Sequence, residues 1–82
     1  MKQTIQTTVV QIENEQGELP AVMLRCSEGE AIHPEATVSA KAILCEQEIL
    51  IVGTDRLKIR GKGKPSVGLG DMVEIRVIAE TS

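Results

Sequence analysis

Clusters of turn-forming residues divide this sequence of 82 residues into short segments. The clusters lie at Glu13–Glu18, Ser27–Glu30, Gly53–Asp55 and 61–70, and the segments between them are rich in Val, Ile, Leu and Thr. Such segments are typical of strands. We predict strands over residues 4–12, 19–26, 37–42, 49–52, 56–60 and 72–78. This spacing predicts an all-β fold, a small antiparallel barrel or curled sheet of five to six short strands, in which closure limits exposed edges.

Residues 34–46 allow two interpretations. As a helix at about 34–46, the segment would begin with Pro34 at the first helical position, and the fold would be α+β. Its apolar stripe would consist of Ala36, Ala40, Ile43 and Leu44. As a strand, the segment would alternate polar and apolar residues from Thr37 to Ala42 and then reverse sharply at Cys45–Glu48 into the next strand. We favour the strand, because Thr, Val and Ser are weak helix formers.

The sequence contains no Phe, Tyr or Trp, so its core must consist of small and medium aliphatic side chains. Aromatic residues usually contribute much of the buried area of a domain, and a chain this short buries a smaller fraction of its unfolded surface than a larger domain does. We therefore expect a single small β domain, residues 1–82, with a thin core. Self-association is a common way for such a chain to bury more surface, so we predict a homo-oligomer.

Features of the sequence favour a cytoplasmic location. No apolar stretch is long enough for a signal peptide or a membrane span, so we expect no membrane partner. Cys26 and Cys45 lie outside any CxxC pair, and two such cysteines without a secretory signal favour free thiols in a reducing compartment.

Basic residues occupy every second position between residues 56 and 64. We call these five residues the cationic row: Arg56, Lys58, Arg60, Lys62 and Lys64. In a strand, alternate side chains share a face, so the row should point outward while Leu57 and Ile59 point inward. Residues 1–54 carry eight acidic and three basic residues, whereas residues 55–82 carry six basic and four acidic ones. The row is therefore either the solvated face of a strand or a surface for an anionic partner.

The sequence lacks the motifs of phosphate-binding and metal-binding sites. Gly68 is followed by Leu69, where a P-loop requires Lys, and Val73 stands where a dinucleotide-binding motif requires its third Gly. We interpret Gly70-Asp71 as a tight turn that begins the last strand. A zinc site would need Cys26, His33, Cys45 and Glu35, whose spacing is unlike that of structural zinc sites. We expect no metal or other cofactor.

Catalysis is also not expected. His33 is the only histidine and lies before Pro34, where it is typical of a turn residue or a helix cap. No nucleophile motif surrounds it, and a domain of this size has little room for a deep pocket.

These observations lead to a functional prediction with one alternative. We predict a non-catalytic binding module that acts through protein–protein interaction, by self-association or with an acidic protein surface, using its sheet edges and its cationic row. The alternative is a small barrel that binds nucleic acid by contacting phosphates through the same five side chains. The lack of aromatic residues for base stacking and the net charge of −3 weigh against the alternative.

Overall fold

A computed structural model describes residues 2–13 and 20–78 and contains six strands there, with no helix. The strands are β1 (Lys2–Glu13), β2 (Ala21–Cys26), β3 (Thr37–Ala40), β4 (Cys45–Gly53), β5 (Arg56–Lys62) and β6 (Met72–Ile78). They form one sheet in the order β3-β6-β1-β2-β5-β4. All neighbouring pairs are antiparallel, and the sheet curls into a nearly closed barrel. The predicted all-β fold is confirmed.

The two edges of this sheet are β3 and β4. Each strand runs opposite to its neighbours, and β3 and β4 are the first and the sixth strands of the sheet. β3 and β4 therefore run antiparallel to each other. In the described part of the chain neither pairs with the other: β3 is paired with β6 and β4 with β5. We call the gap between them the seam.

Alternation of side chains along the central strands builds the core. On β5, Leu57 and Ile59 are fully buried while Arg56 and Arg60 are exposed, as predicted. On β6, Val73, Ile75 and Val77 are buried in the same way. The inward residues of β1 and β2 add Ile5, Val9, Val22, Leu24 and Cys26, and the connecting segments complete the core cluster with Ile32, Ile43 and Leu44. The core is entirely aliphatic apart from the Cys26 thiol and the hydroxyl of Thr7, which donates a hydrogen bond of 2.7 Å to the Val73 carbonyl.

Two predicted turns are confirmed. Thr54 and Asp55 reverse the chain between β4 and β5. Before β6, Gly70 adopts a φ of 84°, which a residue without a side chain adopts at little cost. The Asp71 carboxylate accepts a hydrogen bond of 2.8 Å from the Gly68 N–H, so this turn is closed before the strand begins.

The helix considered for residues 34–46 is wrong, and the strand interpretation needs one correction. Thr37–Ala40 is a strand, but the reversal lies at 41–44, because Cys45–Glu48 already belongs to β4. The N–H groups of Ile43 and Leu44 donate to the side chain of Gln47 instead of to helical carbonyls. His33 is a turn residue and not a helix cap, because a turn and then β3 follow it instead of a helix. Its carbonyl accepts a hydrogen bond from the Ala36 N–H at 3.0 Å, and its Nδ1 accepts one from the Glu35 N–H at 3.2 Å.

Candidate interaction site at the open sheet edge

The β4 edge is longer than the β3 edge and is less protected in its middle. β4 has nine residues, contains no Lys, Arg or Pro, and has no strand beside it on the seam side within residues 2–13 and 20–78. β3 has only four residues and lies between Pro34 and Lys41. Short length, Pro, Lys and other charged side chains, and bulges are the common means of preventing edge-to-edge pairing. β4 has Glu46 and Glu48 and a register shift near each end, but residues 49–51 carry none of these protections. β4 is therefore the better of the two edges for adding a strand.

Side chains along the middle of β4 are mostly apolar. Ile49 and Ile51 pack against the core from the inner face. Leu50 is half-buried on the outer face opposite Lys58 of β5, and Val52 is 50% exposed. Register shifts in the β4–β5 pairing occur between Cys45 and Glu48 and between Ile51 and Gly53, so the regular part of the strand is 48–51. Glu46, in the first shift, has a φ of 50°.

An apolar slot opens at the seam. It has a volume of about 230 Å³ and is lined by Pro34, Ala36, Val38, Ile49, Leu50 and Ile51. Both edges contribute to it, since Val38 belongs to β3 and the last three residues belong to β4. The slot and the unpaired edge thus offer apolar contacts and backbone hydrogen-bonding groups in the same place.

One side chain, Gln47, holds the turn that connects the two edges. Its Oε1 accepts hydrogen bonds from the N–H groups of Ile43 (2.8 Å) and Leu44 (3.2 Å). Its Nε2 donates to the carbonyls of Lys41 (3.0 Å) and Ala40 (3.4 Å). All four backbone groups lie in or next to the turn at 41–44, so this amide fixes the path of the chain from β3 to β4.

Gly61 lets β5 pass close to this turn. A Cβ at Gly61 would lie 2.6 Å from the Leu44 Cβ and 2.7 Å from the Cys45 carbonyl oxygen, which is shorter than real contacts of a Cβ atom. Any side chain here would push the turn and the start of β4 away from the barrel.

The cationic row projects from β5 and the loop after it, as predicted, but most of its charges have acidic neighbours. The described residues contain three ion pairs of the row: Lys62 with Glu46 (2.7 Å), Lys58 with Glu13 (3.7 Å) and Arg56 with Asp55 (3.8 Å). Asp55 also lies 3.8 Å from Arg25. Arg60 is opposite Glu48 in the β4–β5 register, and Lys64 is exposed in the loop. The row is part of a face of mixed charge.

Sequence reasoning did not identify the seam or the function of Gln47. It predicted residues 49–52 as a strand but not as an edge, because strand order depends on contacts between distant residues. A signal was available: the stretch from Cys45 to Gly53 contains no Lys, Arg or Pro, in a chain whose next strand has a basic residue at every second position.

The two cysteines are free thiols, as predicted, in different surroundings. Cys45 is exposed at the start of β4, whereas Cys26 is buried on β2. Burial raises the pKa of the Cys26 thiol above its ordinary value, and the carboxylates of Asp55 and Glu30 raise this pKa further. In residues 2–13 and 20–78, no three His, Cys, Asp or Glu side chains are grouped as a metal site would require.

Comparison with protein-family models, with curated proteins and with solved structures found no match for this chain. No helix among the described residues has the length and apolar character needed to span a membrane.

We expect Gln47→Ala to destabilise the fold by about 1–3 kcal/mol, because four backbone groups lose their side-chain partner. Glu48→Ala is the matched control, because Glu48 follows Gln47, is exposed and makes no side-chain hydrogen bond to the turn at 41–44. This substitution should change the free energy of unfolding by less than about 0.5 kcal/mol. Urea unfolding followed by far-ultraviolet circular dichroism measures both. Equal losses in the two variants would contradict the assignment of the turn to Gln47.

We expect the two thiols to react with iodoacetamide at different rates. Cys45 should be alkylated rapidly in the folded protein, whereas Cys26 should react only when the chain opens, because burial limits access and its raised pKa disfavours the thiolate. The pKa of Cys26 is higher in the folded state than in the unfolded state. The stability that the protonated Cys26 contributes is therefore fully present below the unfolded-state pKa and is lost as pH rises through the folded-state pKa. Mass spectrometry of peptides over time measures the rates, and equal rates would contradict this account.

Proposed function

We propose that this protein is a non-catalytic assembly domain that associates with itself or with a second protein by adding a strand to its sheet at β4. The observation that carries the proposal is the nine-residue β4 edge, without Lys, Arg or Pro, beside an apolar slot. Recognition by strand addition takes affinity from main-chain hydrogen bonds and specificity from pockets for alternate side chains. The β4 edge and the slot match these two requirements.

The dimensions of the slot favour a protein side chain over a small molecule. Its volume of about 230 Å³ is below the range of roughly 300–1,000 Å³ typical of small-molecule sites. All of its lining residues are apolar, so the polar part of its surface belongs to the backbone and no polar side chain orients a ligand. An aliphatic side chain carried by an added strand needs neither a larger volume nor a polar partner.

The surroundings of Cys26 and His33 support a non-catalytic function. The Cys26 thiol is buried with a raised pKa, which opposes formation of the reactive thiolate. His33 Nδ1 is occupied by the Glu35 N–H in an exposed turn. Within residues 2–13 and 20–78, neither Cys26 nor His33 is paired with the activating neighbour that a catalytic nucleophile or base requires.

We expect Leu50→Glu to prevent assembly of copies at the β4 edge. The new carboxylate can pair with Lys58 within the sheet, which preserves the fold, but it places a charge on the surface that an added strand would cover. The mass in solution should fall from that of an oligomer towards 8.9 kDa, with association weakened at least about tenfold. Light scattering with refractive-index detection is suitable, because the chain lacks aromatic absorbance.

The matched control for this experiment is Met72→Glu. Met72 is 61% exposed on β6, which is paired on both sides, with β3 and with β1, and is not part of the β4 edge. The same charge at this position should therefore leave the mass unchanged. Circular dichroism checks that both variants remain folded. Equal masses for the wild type and Leu50→Glu over the whole concentration range would contradict assembly of copies at this edge.

Nucleic-acid binding through the cationic row is the alternative function, and it has its own test. Because Arg56, Lys58 and Lys62 each have an acidic partner within 4 Å, we expect no gain in mass when short single-stranded RNA or DNA is added at low salt. If all five side chains contacted phosphates of a single strand, the logarithm of the binding constant would fall with the logarithm of salt concentration at a slope of about −3.5. Binding with such a slope, abolished by Lys58→Glu with Arg60→Glu, would favour the alternative.

A further inference from the structure

We propose that the strand added at β4 is β4 of a second copy of this chain, antiparallel to the first, with Leu50 opposite Leu50 of the second copy. This inference rests on the proposed function and specifies its partner and its geometry. The result would be one sheet that continues from one barrel into the other across a twofold axis.

The register follows first from the shape of β4. Register shifts disturb the strand before Glu48 and after Ile51, and Val52 has no partner on β5. A bulge leaves its extra residue unpaired and bends the strand locally. The regular segment, residues 48–51, is therefore where a second strand can pair without distortion.

Charge and side-chain size then select among symmetric registers centred on this segment. A twofold axis at Glu48 would put Glu48 opposite its own copy, and like charges in a directly opposed pair are destabilising. An axis at Ile49 would place Glu48 opposite Leu50. An axis at Ile51 would place Ile49 opposite Gly53, beyond the second register shift.

An axis at Leu50 has no like-charge pair, and it keeps Glu48 away from the half-buried Leu50. Glu48 then lies opposite Val52, which is 50% exposed at the end of the regular segment, so both side chains stay in contact with solvent. It pairs Leu50 with Leu50 on the outer face and Ile49 with Ile51, twice, on the inner face beside the two slots. The two Glu48 residues are then four residue positions apart along the strands, or about 14 Å, which exceeds the screening length of about 8 Å at physiological salt. β4 is therefore complementary to itself in this register.

The thin core adds a reason for a second copy. With an aliphatic core and no aromatic residues, this chain gains stability from any further burial of Ile49, Leu50 and Ile51, which are only half-buried in the single barrel. Pairing of two identical edges buries these residues on both copies at once. A peptide from another protein would bury them on one copy only.

Disulfide cross-linking tests this register directly. In a Cys45→Ser background, Leu50→Cys would bring two thiols together across the axis, with Cα atoms about 4.5–5.5 Å apart, a separation that a disulfide spans. Val52→Cys is the matched control: residue 52 is 50% exposed on the same strand, but its two copies would lie about 14 Å apart. Cys26 is buried, so it does not compete.

The readout is the fraction of covalent dimer on a non-reducing gel after exposure to oxidised glutathione. We expect Leu50→Cys to form the dimer at least about tenfold faster than Val52→Cys. Equal rates, or a faster reaction of Val52→Cys, would overturn the register. A wild-type protein that is monomeric at all concentrations would overturn the choice of a second copy as partner.

The mass experiment on Leu50→Glu separates failure of this inference from failure of the proposed function. If Leu50→Glu lowers the mass but Leu50→Cys does not cross-link, assembly at β4 stands and the symmetric pairing is wrong. If Leu50→Glu leaves an oligomer intact, the β4 edge is not the site of assembly, and both the proposed function and the symmetric pairing are wrong.

Discussion

The arrangement of the two sheet edges depends on the hydrogen bonds of one side chain, Gln47. Its amide binds four backbone groups of residues 40–44 and so fixes the short turn between β3 and β4. A turn this short would normally join a paired hairpin, and the directions of the two strands would permit one. The strands instead diverge and leave the slot between them.

The divergence has a local cause in β4. The strand is irregular at both ends, with a positive φ at Glu46 and an extra residue at Val52, and such irregularities bend a strand and increase its twist. β5 holds the regular middle of β4, and Gly61 lets the turn approach closely enough for this pairing. The irregularities that accompany the open seam thus lie in β4, whereas β3 pairs regularly with β6.

The sequence predicted the parts of this fold that depend on neighbours in the chain. Alternation along β5 and β6 indicates the buried face of each strand whatever the strand order is. On β5 the apolar residues Leu57 and Ile59 lie between basic residues, and on β6 the apolar residues Val73, Ile75 and Val77 alternate with polar ones. The segment at 34–46 is ambiguous because its alanines favour a helix whereas Thr37, Val38 and Ser39 favour a strand. The contact that decides between them is made by the side chain of Gln47, three residues beyond Leu44. The ion pairs of the cationic row could not be predicted, because Glu13 and Lys58 lie 45 positions apart and no spacing rule pairs them.

The difference between the two edges limits the kind of assembly that the sheet can make. A filament formed by strand addition requires each copy to offer two competent edges, one to receive a neighbour and one to extend to the next. Among the described residues, the other edge, β3, is short and lies between Pro34 and Lys41, which makes it a poor second edge for a growing chain of copies. The asymmetry between β3 and β4 therefore disfavours a filament built by repeated strand addition and favours a closed pair.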